Sequence, residues 1–420
     1  MVLNSPMVLY AKTLGASATI LGIIAGMMPL LVIFQIPAAQ HVARIGYKRF
    51  VYAGWGTRVL FIFGMAAVPV TAFFLNETSR LGLLLMLLFC FNLSRGISSA
   101  GWLPWITSLV PAPVRGRYLA RDAAWVNLAS FFSFLLAAFC LRSNAQAWQF
   151  SILFLFSALM GSMSLVFLKR IPEGTPDDPE STSKGPVPWG AIISYKPFQK
   201  LLWLVVAWAM AYGGLSAFTV VFLKIQCGMG EGKILLLNSV FFLGGLCSLV
   251  LGTKLDRLGS KPVLTFAIIS WLLIIGGWSM LAGQVLPLSL GLVLALQFSM
   301  GLCAALVNMS NTRLAMAIVP KMGRNHFFAL FSVMSNVALG LAPIVWGLII
   351  DAIGKRQSMA LGLEWNRYSF FFVASGSVMV VALGFALRLE EPEAASLETL
   401  LRELLIESPQ RVWVRLWLRE

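Results

Sequence analysis

The chain has 420 residues, a mean hydropathy of +0.83, 59% hydrophobic residues and only 12% charged residues. This composition excludes a soluble globular domain and predicts an all-α or β-barrel polytopic membrane protein. The formal net charge of +15 is spread over several loops instead of one patch, which argues against a nucleic-acid partner.

Apolar runs of about 20 residues, long enough to cross roughly 30 Å of hydrocarbon, recur along the whole chain. None shows the alternation of an outer-membrane barrel strand, so each run is predicted to be a helix. We predict eleven full spans, at 18–39, 51–75, 81–103, 124–142, 148–168, 199–223, 234–253, 262–283, 286–310, 327–350 and 368–388.

The start of the chain is apolar but short. As a helix, Met1 to Ala11 would extend only about 16 Å, half of a bilayer. A signal peptide is disfavoured because no basic residue precedes the apolar stretch and Lys12 follows it. We interpret 1–11 as the second half of a span, a half-length stub that brings the predicted helices to twelve.

Two short segments show that the chain repeats itself. Residues 44–48 follow the second span as Arg-Ile-Gly-Tyr-Lys, and residues 257–261 follow the eighth as Arg-Leu-Gly-Ser-Lys, 213 positions later. A second pair, 110–111 and 319–320, repeats Val-Pro at an offset of 209. This spacing predicts two six-helix halves with the same topology.

The segment after the eighth span carries the most informative motif. Its spacing, G-x-x-x-D-[RK]-x-G-x-[RK], resembles a loop motif of the major facilitator superfamily, and it is formed by Gly252, Asp256, Arg257, Gly259 and Lys261. The resemblance implies a twelve-helix transporter that works by alternating access. It also implies that about ten residues of the first span have been lost, by truncation or a misplaced start.

The resemblance sets the expected domain boundaries. They are an N-terminal half at 1–170, a polar connector at 171–197, a C-terminal half at 198–390 and an amphipathic tail at 391–420. The connector and five other basic regions hold 22 of the 32 Lys and Arg residues, which predicts that this face and the C-terminus are cytoplasmic. We expect a monomeric, multi-pass protein of a bacterial inner membrane.

The resemblance also predicts a latch on the connector side, where charged residues would hold the two halves together. A solvated, positive-inside turn is the alternative reading. In the first half Ala43 replaces the aspartate, so a contact that depends on a carboxylate is not expected there. Besides the motif itself, the predicted gating residues are Arg44, Gly46, Lys48, Arg115, Arg117 and Arg324.

Arg95 is the best candidate for a functional residue within the membrane. A deep arginine is costly unless it faces a cavity or a partner, although snorkelling to the interface or bonds to backbone carbonyls are alternatives. Asn92, Ser99 and Trp102 recur with it at helical spacing. Family geometry adds residues of the seventh and tenth spans to the predicted cavity, namely Trp208, Tyr212, Ser216, Gln297, Asn308 and Asn311.

Several readings stay open at this point. Trp208 could serve core packing, and Arg58 in the third span could be functional or structural. No carboxylate lies deep in a span, Asp351 being the closest, so Arg95 favours a small solute with an anionic group, moved by exchange or facilitated diffusion. A non-transporting scaffold or assembly factor and a lipid flippase are the alternatives.

No catalytic or cofactor motif is evident in the sequence. The five cysteines show no metal-ligand spacing or disulfide framework, and no nucleophile, base or phosphate-binding loop is recognisable. We therefore expect no cofactor, no metal and no enzyme activity, with the solute and the lipid bilayer as the only partners.

Overall fold

The computed structural model describes residues 5–110, 112–141, 145–173, 194–318, 324–360, 362–389 and 397–402. Apart from one short hairpin, its regular elements are helices, because only helices satisfy their own backbone groups in lipid. They are α1 Ser5–Thr13, α2 Ala18–Leu31, α3 Gln35–Ile45, α4 Tyr47–Ala67, α5 Glu77–Leu109, α6 Ala112–Cys140, α7 Ala147–Arg170, α8 Lys196–Tyr212, α9 Leu215–Ile225, α10 Glu231–Leu258, α11 Ser260–Ala282, α12 Leu290–Ile318, α13 Arg324–Ile353, α14 Arg367–Leu387 and α15 Leu397–Arg402.

Short non-α segments complete the architecture. Two 3₁₀ turns, Val32–Phe34 and Val68–Phe73, join α2 to α3 and extend α4. Strands β1 (Ser358–Ala360) and β2 (Leu363–Trp365) form an antiparallel hairpin in which Met359 pairs with Glu364. This hairpin links α13 to α14.

The predicted all-helical membrane fold is confirmed. Within the described ranges, ten helices are long and apolar enough to cross a membrane. The predicted span at 234–253 lies on α10, and all eleven predicted spans are helical. The spans at 18–39 and 199–223 are each divided between two helices, α2 and α3 in the first and α8 and α9 in the second. Helix α1 is short, as expected, and is deeply packed, with Met7 and Ala11 at 0% exposure.

Two segments predicted as loops are mostly helical. Helix α6 begins at Ala112 and α10 continues to Leu258, so the charged residues near 115 and 256 lie on helices. The reason is length: the 28 residues of α10 extend roughly 42 Å, beyond the hydrocarbon core, and its charged end continues the helix outside it.

The turn itself is a single glycine in each half. Gly46 separates α3 from α4 with φ +91°, and Gly259 separates α10 from α11 with φ +87°. Such positive φ values favour glycine because a Cβ atom would be strained. The repeat predicted at an offset of 213 residues is therefore the same backbone junction in both halves.

The helix bundle has two ends, which are distinguished by the loops that they carry. The connector face holds Gly46, Glu173 and Gly259, and the opposite face holds Gly15 and Gly283. The two halves meet where α2 packs on α13 and where α6 packs on α10.

The contact between α2 and α13 is very close. A Cβ atom on Gly22 would lie 2.1 Å from the Pro343 carbonyl oxygen, and one on Gly26 would lie 2.2 Å from the Gly340 oxygen. Only glycine permits this approach, which brings the two halves into backbone contact.

Candidate functional site

Arg95 is half-buried on α5, beside the tightest contact between α5 and α2. A Cβ atom on the next residue, Gly96, would lie 2.0 Å from the Leu31 carbonyl oxygen. The Nη1 atom of Arg95 is buried without a hydrogen-bond partner. The ion pair found in the described part of the chain joins Lys224 to Glu231 at 2.6 Å, so no described carboxylate pairs with Arg95.

Arg58 lies next to Arg95, on the antiparallel helix α4. Gly54 on α4 packs against Ser94 and Ser98 on α5. Its carbonyl oxygen accepts from Ser94 Oγ at 3.2 Å, and a Cβ atom added to Gly54 would lie 2.3 Å from the Cβ atom of Ser98. Arg58 follows Gly54 by one helical turn and interacts electrostatically with Arg95. Its Nε atom is also buried without a hydrogen-bond partner.

The side chain of Arg58 is held by an aromatic ring. Its guanidinium carbon lies 4.0 Å from the centroid of Trp55. The Trp55 indole in turn donates from Nε1 to Ser164 Oγ on α7 at 2.7 Å. This stack fixes Arg58 against the interior of the N-terminal half.

The other predicted residues of α5 differ in their surroundings. Asn92 is buried and donates from Nδ2 to the Leu88 carbonyl at 2.9 Å, while its Oδ1 has no partner. Ser99 donates to the Gly96 carbonyl at 2.7 Å. Trp102 is 38% exposed and packs edge-on against Trp105.

In the C-terminal half the predicted residues of the seventh span belong to an aromatic cluster. Trp208 stacks on Tyr212 with 4.6 Å between the ring centroids, and Tyr212 packs edge-on against Trp271 at 5.4 Å. The Nε1 atoms of both tryptophans are buried without hydrogen-bond partners. Ser216, on α9, is exposed.

The predicted residues of α12 lie at two different depths. Gln297 is buried and donates to Asn238 Oδ1 on α10 at 3.0 Å. Asn308 is exposed, and Asn311 is buried with its Oδ1 unpaired. Gln297 and Asn311 are separated by roughly 21 Å along the helix, so one small solute does not touch both at once.

Two contacts between the halves were not predicted from the sequence. Asn238 donates from Nδ2 to Ser5 Oγ on α1 at 2.7 Å, extending the bond from Gln297 across the interface. At the opposite face, Asp351 accepts from the Ala18 and Thr19 backbone N–H groups at 3.0 and 2.8 Å. Its Oδ2 also accepts from the Thr19 hydroxyl at 2.6 Å.

Asp351 therefore caps the first turn of α2 from the other half of the protein. A carboxylate at a helix N-terminus satisfies unpaired N–H groups and interacts favourably with the helix dipole. The sequence offered one signal, since Asp351 is the acidic residue nearest to a span, but its partners lie 332 and 333 positions away.

On the connector face, one expectation is wrong. No carboxylate contact was expected near Gly46, yet Glu173 Oε1 accepts from the Lys48 backbone N–H at 3.0 Å and lies beside Gly46. The carboxylate missing at Ala43 is supplied by Glu173, which lies three residues beyond the end of α7 and 125 positions from Lys48. Arg44 is exposed and makes no hydrogen bond or ion pair to a described residue of the other half.

Of the remaining predicted gating residues, the structure describes the side-chain environment of two. Gly259 forms the single-residue junction, and Lys261 lies in the first turn of α11, where its carbonyl oxygen accepts from Thr265 Oγ1 at 2.9 Å. The side chains of the others lie outside the described residues, namely Arg115, Arg117, Gly252, Asp256, Arg257 and Arg324.

Comparison with known proteins gives one family match. The family model described as Major Facilitator Superfamily matches residues 1–296 and 236–419, which together cover almost the whole chain. No curated protein sequence matches it.

Solved structures resemble the chain in fold over most of its length. A D-xylose-proton symporter matches with a TM-score of 0.70 at 13% identity, covering 94% of both chains. A variant of the nucleoside transporter NupG matches at 0.69 and 13%, covering 92% of this chain and 95% of that one. The inward open xylose transporter XylE from E. coli matches at 0.66 and 14%, covering 92% and 89%.

Proposed function

The chain belongs to the major facilitator superfamily, and on that premise we propose that it moves a small solute with an anionic group across the membrane by alternating access. It is an integral multi-pass membrane protein. The observation that carries the proposal is Arg95, a guanidinium within the membrane-spanning bundle that has no carboxylate partner among the described residues.

The energetic cost of this arginine requires a compensating role. Placing Arg at the centre of a membrane helix costs about 2.5–3.5 kcal/mol on insertion scales, and more where water is absent. A carboxylate or phosphate group of a solute would repay that cost through charge-assisted, two-pronged hydrogen bonds. The buried, unpaired Nη1 atom of Arg95 is suited to such a contact.

Alternating access is supported by contacts that close the opposite face. The Asp351 cap on α2 and the chain from Gln297 through Asn238 to Ser5 both join the two halves. Opening towards that face would require these bonds to break and α2 to separate from α13. On the connector face, we propose that the predicted gating residues, from Arg44 to Arg324, form the alternative closure.

The domain boundaries, the orientation of the protein in the membrane and its monomeric state are also part of this proposal. The halves would be 1–170 and 198–390, joined by the connector 171–197 and followed by the tail 391–420. The connector face, which carries most of the Lys and Arg residues, would be cytoplasmic together with the C-terminus, in a bacterial inner membrane. A monomer would contain the whole solute pathway between its two halves.

The test is thermal melting of the purified protein with a panel of anionic, neutral and cationic metabolites. A ligand that binds only the folded state raises the melting midpoint by mass action. We expect anions alone to raise it, and we expect Arg95→Gln to abolish the rise. Arg356→Gln, which removes an exposed guanidinium on the opposite face, is the matched control and should keep the response.

Other outcomes would favour the rival functions. If neutral solutes raise the melting midpoint and still raise it in Arg95→Gln, the proposed anion site is excluded. No rise with any soluble compound would strengthen the reading as a scaffold, and a rise with lipids alone would favour a flippase.

A further inference from the structure

Arg58 and Arg95 form a pair of like charges in the interior of the N-terminal half. Helices α4 and α5 run antiparallel, because Gly54 meets Ser98 near the connector face and Gly64 meets Leu87 nearer the opposite face. In this register Arg58 lies opposite residues 93–94, one or two positions from Arg95. The two guanidinium groups therefore occupy nearly the same depth.

No described carboxylate neutralises either group. Arg58 Nε and Arg95 Nη1 are both buried without an acceptor, and the two side chains interact electrostatically with each other. Like charges in a medium of low dielectric repel each other much more strongly than in water. Negative charge between or beside the two groups would relieve this repulsion.

The stack on Trp55 leaves Arg58 able to bind such a charge. A cation–π contact supplies no conventional hydrogen-bond acceptor, so it leaves the N–H donors of the guanidinium available, and Arg58 Nε has no partner. Because Trp55 is itself fixed by its bond to Ser164, the donors of Arg58 are oriented before any ligand arrives. Little side-chain entropy is then lost on binding.

We infer that Arg58 is a second anion-binding residue and that the solute carries two negative charges, as a dicarboxylate or a phosphate monoester does. This inference rests on the proposed function and narrows its substrate class. Arg95 would bind one charged group, and Arg58 would bind the other and discriminate against monoanions.

The experiment compares soluble probes of matched size. Melting of the purified full-length protein is measured with succinate and inorganic phosphate as dianions and with butyrate as a monoanion. We expect the dianions to bind at least about tenfold more tightly, as expected for one additional charge-assisted contact. Arg58→Gln should remove this preference and weaken butyrate binding much less than dianion binding, whereas Arg95→Gln should abolish binding of all three.

The outcomes separate this inference from the proposed function. If anions bind through Arg95 but Arg58→Gln leaves the dianion preference intact, Arg58 is a structural residue and only this inference falls. If no anion binds the parent protein, both fall. Should Arg58→Gln not fold, Arg58→Lys keeps the charge but loses the two-pronged geometry. It should weaken dianion binding about tenfold, and unchanged binding would overturn the inference.

A lipid headgroup could supply the same phosphate chemistry. The same variants are therefore melted in mixed micelles with and without phosphatidic acid. A rise with this lipid but not with soluble dianions, lost in Arg58→Gln, would support the two-guanidinium site and overturn transport of a small solute.

Discussion

The two halves of this protein share a topology and differ in their interiors. In the C-terminal half, 56% of the apolar window of the third span, Ser260–Ala282, is buried. In the N-terminal half the equivalent third span, Tyr47–Phe73, has only 28% of its window buried. One half packs its own aromatic core, while the other surrounds two guanidinium groups that lack described acidic partners.

This difference shows that an internal repeat conserves the path of the chain more than its chemistry. The aromatic core of the C-terminal half includes Trp278 stacked on Phe372, with 6.0 Å between the ring centroids, and the Tyr212–Trp271 pair. Such a core is stable without a ligand. On the function proposed above, the N-terminal half would gain stability when an anion binds.

The largest effect is expected in the aromatic core. Trp271 is fully buried, and Trp271→Ala should lower the free energy of unfolding by about 3–5 kcal/mol because it leaves a large cavity. Melting of the variant in detergent measures the loss. Trp203, which is 60% exposed in the same half, is the control, and Trp203→Ala should cause a much smaller change. Equal losses would show that the C-terminal core is not the rigid part.

The next effect is expected between the halves. Asp351→Asn removes the charge that caps α2 and should shift the equilibrium towards the state open at the opposite face by about 1.5–3 kcal/mol. Spin labels at Thr78 and Gln357, exposed positions on either half, should then show longer distances in a cysteine-free background.

Glu364→Gln is the matched control for this change. It removes the same charge from the nearby hairpin, where Glu364 contacts Asn366 within the same half at 3.4 Å. Its distance distribution should equal that of the parent protein. If Asp351→Asn behaves like this control, the cap does not hold the opposite face closed.

The smallest effect is expected in the N-terminal half. Ser164→Ala removes the acceptor for the Trp55 indole and should weaken dianion binding by about 1 kcal/mol, roughly fivefold, because Arg58 is held less firmly. Ser162→Ala is its control on the same helix, since among the described residues the Ser162 hydroxyl donates to the Ala158 carbonyl and not to Trp55. Identical affinities for the two variants would mean that the orientation of Arg58 does not depend on Trp55.

Much of the fold could be predicted because its determinants are local. Hydropathy over about 20 residues placed every span, and the glycines at 46 and 259 marked the same junction in both halves. The ends of helices were less predictable, because charged residues near 115 and 256 continue a helix outside the hydrocarbon core.

The candidate site was predictable only in part. Arg95 stands out in the sequence because a charge within an apolar run is costly in any fold. Arg58 carries the same signal, but the sequence does not show that it lies at the depth of Arg95. By contrast, the separation of roughly 21 Å between Gln297 and Asn311 follows from their spacing on one helix, so the sequence was enough to show that one small solute does not touch both.

The amino-acid sequence by itself therefore determined the membrane class, the helices and the two-half topology, all of which follow from transfer energies and local backbone preferences. Only the tertiary structure decided which polar groups meet: Arg58 with Arg95, Asp351 with the start of α2, and Glu173 with Lys48. These partners depend on how each helix is rotated and packed, and packing is set by contacts between residues tens to hundreds of positions apart.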